Sequence, residues 1–147
     1  MLQQRAQKFE ILLVEDNPGD AFLTREALRE GRFAHTLSVV EDGEEAMHFL
    51  RKQGKYQDAP RPDLILLDLN LPKMDGRELL AEIKEDTQLR HIPVIVLTTS
   101  DARQDVWGAY KLHANCYLTK PIQMEDFLQK VRSVEDFWLT VVKLPSS

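Results

Sequence analysis

The stretch "LILLDLNLPKMDG", Leu64 to Gly76, decides how this chain is read. An apolar run from Leu64 to Leu67 stops at a single acid, Asp68. Asn70, Pro72 and a turn at Asp75-Gly76 follow. A run without polar alternation suits a strand covered on both faces, as in a parallel sheet. Such a strand has little use for an acid except at its rim, where the acid faces solvent and a ligand.

Around this run, extended to "DLILLD" (Asp63–Asp68), lie four other short apolar runs. They are "FEILLVE" (Phe9–Glu15), "HTLSVV" (His35–Val40), "PVIVLT" (Pro93–Thr98) and "NCYLT" (Asn115–Thr119). The first and third of these are continuous. The other two are weaker and belong nearer the sheet edges. Helical patterns separate the runs: Ala46, Phe49 and Leu50 share a face, as do Leu79, Leu80 and Ile83. Val106, Ala109 and Tyr110 form a third such set, and Phe127, Val131 and Val134 a fourth. Asn17-Pro18 reads as a helix start, with proline at the first helical position. Asp42 and Asp101 read as caps of the second and fourth helices. "RKQGKYQDAPRPD" (Arg51–Asp63), broken by Gly54, Pro60 and Pro62, reads as a long surface loop.

Strict alternation of strand and helix, five times over, predicts an α/β fold with helices on both faces of a parallel sheet. Right-handed crossovers leave few topologies. The simplest is a flavodoxin-like, doubly wound, five-stranded parallel sheet of order 2-1-3-4-5 with five helices. The expected organisation is one domain over residues 1–147, with its core at about 9–138 and a C-terminal extension at 139–147.

Composition agrees with one such core. The chain has 147 residues, 43% of them apolar, and a domain of this size buries roughly 68–70% of its unfolded surface. Cys116 is the single cysteine, so no intramolecular disulfide forms and a reducing, cytoplasmic setting is expected. A net charge of −5 argues against a nucleic-acid partner, which would need a basic face. No apolar run reaches the ~18 residues of a membrane span, and the start "MLQQRAQKFE" lacks the apolar core of a signal peptide. His35, His48, His91 and His113 are scattered, without metal-ligand spacing.

In open α/β sheets the ligand crevice lies beyond the carboxyl ends of the strands, at the switch in strand order. There the sequence places Glu15-Asp16 after strand one, and Asp68 with Asn70 after strand three. Thr98-Thr99-Ser100 follow strand four, and Thr119-Lys120-Pro121 strand five. Three carboxylates, a hydroxyl and an ammonium should therefore converge. Crowded carboxylates resist ionisation, and a divalent cation relieves them. Mg2+ takes hard oxygen ligands of this kind together with phosphate oxygens. A metal alone does not need a lysine. Lysine and threonine beside it point to a bound phosphoryl group, with Asp68 as the nucleophile that forms an aspartyl phosphate.

"LLVEDNP", "LILLDLNLPKMDG", "VIVLTTS" and "CYLTKP" together resemble the signature of two-component response regulator receiver domains, over about Phe9 to Trp138. The resemblance implies Asp68 as phosphoacceptor and the phosphohistidine of a sensor histidine kinase as donor. It implies Mg2+ held by Asp16, Asp68 and the backbone carbonyl of Asn70, with Glu15 acting through water. It further implies Thr98 and Lys120 as ligands of the phosphoryl group, Thr98 and Tyr117 as the switch pair, and Asn70 and Ser100 as positions that tune hydrolysis. Thr99 stands where the family usually has alanine or glycine, and Ile122 where phenylalanine is common. "NCYLTKPIQMEDF" and "FWLTVVKLP" resemble small single-domain receivers paired with bacterial phytochrome kinases.

Each feature also has a plainer explanation. Glu15-Asp16 could simply cap the next helix; Thr98 could be an ordinary strand residue, Lys120-Pro121 a solvated loop, Tyr117 a core tyrosine. Only the joint pattern carries the site. Trp107, Tyr110, Phe137 and Trp138 form an aromatic set that either packs on the domain's own core or makes a homodimer on the side of the fourth helix, fifth strand and fifth helix. The leading expectation is a switch that catalyses only its own phosphorylation and slow autodephosphorylation, with output through protein contacts. One alternative is an aspartyl-phosphate phosphatase, but such enzymes typically carry an acid two residues after the nucleophile, and here that residue is Asn70. Another is a docking module that works without phosphorylation. A nucleotide or flavin carrier lacks its glycine-rich motif.

Overall fold

The computed structural model describes residues 9–30, 34–69, 71, 75–98, 116–120 and 122–132. Five strands form one sheet: β1 (Phe9–Val14), β2 (His35–Val40), β3 (Leu64–Asp68), β4 (Val94–Thr98) and β5 (Cys116–Thr119). Their order is β2-β1-β3-β4-β5, and every pairing is parallel. The fold is the flavodoxin-like one. Four helices are described: α1 (Pro18–Arg29), α2 (Gly43–Leu50), α3 (Gly76–Glu85) and α4 (Met124–Arg132). The helix expected to carry Val106, Ala109 and Tyr110, with its cap Asp101, lies outside the described residues, as do Val134 and the extension 139–147.

The unbroken apolar strands are explained by two cores, one on each face. Side chains alternate across a strand. Leu12, Val14, Ile65, Leu67, Val94 and Val96 enter one cluster with α2 and α3. Phe9, Ile11, Leu13, Leu64, Leu66, Ile95 and Leu97 enter the other, with Leu28 of α1 and Phe127 of α4. Leu64 to Leu67 are all fully buried, and each such side chain contributes roughly 1.5–3 kcal/mol. β2 lies at one edge and is mostly half-buried, which accounts for its weaker pattern.

Local chemistry sets the helix starts. Asn17 caps α1 by accepting from Asp20 N at 3.0 Å, with Pro18 as the first helical residue. Asp42 caps α2 by accepting from Glu45 N at 2.8 Å. Asp75 caps α3 in a reciprocal box with Glu78. The turn expected at Asp75-Gly76 is therefore a helix N-terminus, and Gly76 N donates to Leu69 O at 3.1 Å.

The segment Arg51–Asp63 is less of a free loop than its composition suggests. It contains a 3-10 turn at Gly54–Tyr56, and Tyr56 and Ala59 pack against the core. The Tyr56 ring lies 5.3 Å from that of Phe49, and its hydroxyl donates to Glu45 Oε1 at 2.6 Å. At the far end, Asp63 pairs with the backbone of Glu10, accepting at 2.8 Å and donating at 2.7 Å. The Asp63–Glu10 contacts join residues 53 apart in sequence, and those of Tyr56 reach back to α2, so turn formers alone did not reveal them.

Candidate functional site

The site forms where β1 and β3 end side by side. Glu15 N donates to Val40 O at 2.9 Å, so the parallel register runs one residue past β1. Glu15 follows the parity of Ile11 and Leu13, and Asp68 that of Leu64 and Leu66, so both carboxylates leave the sheet on the α1 side. Both are buried. Asp16 is exposed at the rim. One oxygen from each of Glu15, Asp16 and Asp68 lies within 4.8 Å of the others.

Lys120, immediately after β5, reaches across this group. Its Nζ lies 2.9 Å from Glu15 Oε1 and 3.0 Å from Asp68 Oδ2. A third acid, Asp20 of α1, takes it at 2.9 Å. Burial of the ammonium disfavours its charge, but the hydrogen bonds to Asp20, Glu15 and Asp68 outweigh this and hold Lys120 above the ordinary lysine range. Glu15 is raised to about 7, chiefly by burial. The Lys120 bond lowers it in part, and neighbouring Asp68 raises it again. Lys120 thus offsets part of the cost of burying two acids in one place.

The donor set fits a divalent cation. Three hard carboxylate oxygens converge, burial makes one of the acids harder to ionise, and the exposed Asp16 leaves a side open to water. Neither Glu15 nor Asp16 supplies the α1 cap through its side chain. Asn17 does, and Glu15 Oε2 accepts only weakly from Asn17 N, at 3.3 Å.

The structure brings together Glu15, Asp16, Asp68 and Lys120. Thr98 ends β4 in register with Thr119, and its side chain lies outside the described residues, as do Asn70, Thr99, Ser100 and Pro121. Tyr117 is half-buried on β5 and packs against the core. Ile122 is buried with α1 and α4, so an aliphatic side chain fills this position. Trp107, Tyr110, Phe137 and Trp138 all lie outside the described residues. Asp20 was not among the sequence candidates. In the sequence it reads as an ordinary acid of a first helical turn, favoured there by the helix dipole.

The response regulator receiver domain family matches residues 11–132. The chain belongs to that family. As a receiver domain it is a two-component signalling module. It is 53% identical over 137 residues to the response regulator Rcp1 of Synechocystis sp., covering 93% of each chain. The Mn2+-bound form of Rcp1 superposes with a TM-score of 0.74 at 52% identity, over 94% of this chain and 99% of that one. The phosphorylated cyanobacterial phytochrome response regulator RcpA superposes with a TM-score of 0.76 at 51% identity, over 95% and 100% of the two chains. No helix among the described residues of this receiver is long and apolar enough to cross a membrane.

Proposed function

We propose that this receiver takes a phosphoryl group onto Asp68 from the phosphohistidine of a phytochrome-type sensor histidine kinase, in a Mg2+-dependent reaction, and signals through protein contacts. The observation that carries the reading is the position of Lys120 Nζ, 3.0 Å from Asp68 Oδ2, beside an acid group able to share a cation. The likeness to RcpA supports the phytochrome pairing, and the Mn2+-bound Rcp1 supports the metal.

Asp16 and Asp68 would hold Mg2+ together with the Asn70 carbonyl, and Glu15 through water. When bound, Mg2+ supplies charge neutralisation at the phosphoryl oxygens. The remaining work falls to the chain. An Asp68 oxygen attacks phosphorus; the new O–P bond forms as the P–N bond of the donor breaks, and its electron pair stays on the leaving imidazole. The β3 strand presents the acid on a rigid element, which limits the reorganisation the reaction requires. Lys120 stabilises the charge that gathers on the transferring group. Thr98 then bonds a phosphoryl oxygen and Tyr117 follows it inward, so the charge at the site biases the far face. The chain catalyses its own phosphorylation and the slow hydrolysis of the product, with Asn70 and Ser100 setting the lifetime.

The test is transfer of label. A phytochrome-type histidine kinase carrying radiolabelled phosphohistidine, mixed with this chain, should pass its label within minutes in Mg2+ and retain it in EDTA. The label on the chain should be alkali-labile, as an acyl phosphate is. Retention of label by the kinase in Mg2+, together with no uptake from a small phosphodonor, would sink the reading.

A further inference from the structure

Lys120 has three N–H donors, and each meets a carboxylate: Glu15 at 2.9 Å, Asp20 at 2.9 Å and Asp68 at 3.0 Å. In the function proposed above, on which this inference rests, the Asp68 contact becomes a contact to a phosphoryl oxygen. The ammonium stays where it is and changes only that one acceptor. Its aim then depends on the other two bonds.

Those two are not equivalent. Glu15 belongs with Asp16 and Asp68 to the acids able to share a cation, and Asp20 stands outside that group. A cation drawn to the shared oxygens competes with the ammonium for Glu15. Asp20 is the partner of Lys120 that neither the cation nor the phosphoryl group engages. Its own position is set separately, because its N–H donates to Asn17 Oδ1 at 3.0 Å in the cap of α1. The helix dipole explains an acid in a first turn. It does not explain one that meets a 7%-exposed lysine 100 residues away.

We propose that Asp20 is a positioning residue for phosphoryl transfer. It anchors the Lys120 ammonium before and after Asp68 reacts, so that one N–H stays aimed at the phosphoryl group while a cation occupies the neighbouring acids. An opposing effect has to be weighed. Asp20 is a negative charge near the path of an anionic donor, and its loss would ease that repulsion. Its side chain is 33% exposed, so water screens the repulsion, whereas the contact with Lys120 is direct. The loss of the anchor should dominate.

The experiment measures phosphorylation of the full chain by acetyl phosphate at saturating Mg2+. Asp20→Asn keeps the size of the side chain and removes the charge that holds the ammonium. It should react about three- to tenfold more slowly than the wild type, the scale of one partly exposed charge contact. Asp20→Glu, which keeps the charge, should recover part of the rate. In a Lys120→Ala background, where no ammonium is left to anchor, Asp20→Asn should not slow the reaction further. A second readout needs no metal. The Lys120 ammonium of the wild type in EDTA should give a proton–nitrogen NMR signal, assigned by its loss in Lys120→Arg, and faster exchange with water should broaden that signal in Asp20→Asn. The proposal is overturned by an Asp20→Asn rate equal to or above that of the wild type, by the same slowing in the absence of Lys120, by an Asp20→Glu rate no higher than that of Asp20→Asn, or by an ammonium signal that Asp20→Asn leaves unchanged. If the wild type takes up no phosphoryl group at all, the Asp68 reading fails and this inference with it. If the wild type reacts and Asp20→Asn is no slower, only the role of Asp20 is lost.

Discussion

Lys120→Ala should lower stability in metal-free buffer by about 3 kcal/mol, because it strips two buried acids of their counter-ion. Glu15 and Asp68 lie almost wholly inside the protein, and both touch the Lys120 ammonium within 3.0 Å. Removing one side of a buried ionic cluster is costly because the other side stays buried. A divalent cation on the same oxygens would replace the lost charge. Urea unfolding of Lys120→Ala should therefore show a lower midpoint than the wild type without metal, and the gap should narrow when Mg2+ is added. The same substitution should slow phosphoryl uptake on the order of a hundredfold, since it removes the ammonium that faces the transferring group. An unchanged midpoint in metal-free buffer would mean that Lys120 does not balance these acids in solution.

Gly76→Ala is the second large effect, and here the cause is space. Gly76 opens α3 against the backbone that leaves β3. A Cβ there would lie 2.5 Å from Asp68 O, 2.6 Å from Leu69 Cα and 2.9 Å from Leu69 O. All three are backbone atoms, so no side chain can rotate away. Either α3 lifts off the sheet or the end of β3 moves. The expected loss is about 2–3 kcal/mol, typical of overpacking at a closed contact. Because the displaced backbone is that of Asp68, phosphoryl uptake should also fall, by roughly tenfold or more for a shift that misaligns the attacking oxygen. Thermal unfolding and the acetyl phosphate rate together test this. A variant with native stability and native rate would show that the junction is looser than the contacts imply.

The sheet was legible because each strand announces itself. Leu64 to Leu67 carry no polar residue, and a strand buried twice over has no other composition available. Asn17-Pro18 and Asp42 were legible as helix starts because capping is local chemistry, decided within three residues. The acids of the site followed from the topology: once the order 2-1-3-4-5 is accepted, the ends of β1 and β3 are neighbours, and Glu15, Asp16 and Asp68 meet there. Lys120 was legible for the same reason.

Other features depend on how elements dock, which spacing alone does not reveal. Asp20 reads as an ordinary first-turn acid until the fold brings it against Lys120. Gly76 reads as a turn glycine until the distance from α3 to Leu69 is known. Tyr56 reads as part of a loop until its ring meets Phe49. In each case the deciding contact lies between elements, outside the local pattern that names each one.

The central claim is that Asp68 is the phosphoacceptor of a cation-dependent site, and intact-mass spectrometry tests it most directly. Wild type and Asp68→Asn are incubated with acetyl phosphate, each with Mg2+ and with EDTA. The account predicts one added phosphoryl group on the wild type in Mg2+, and none in the other three samples. Equal uptake by Asp68→Asn would contradict it.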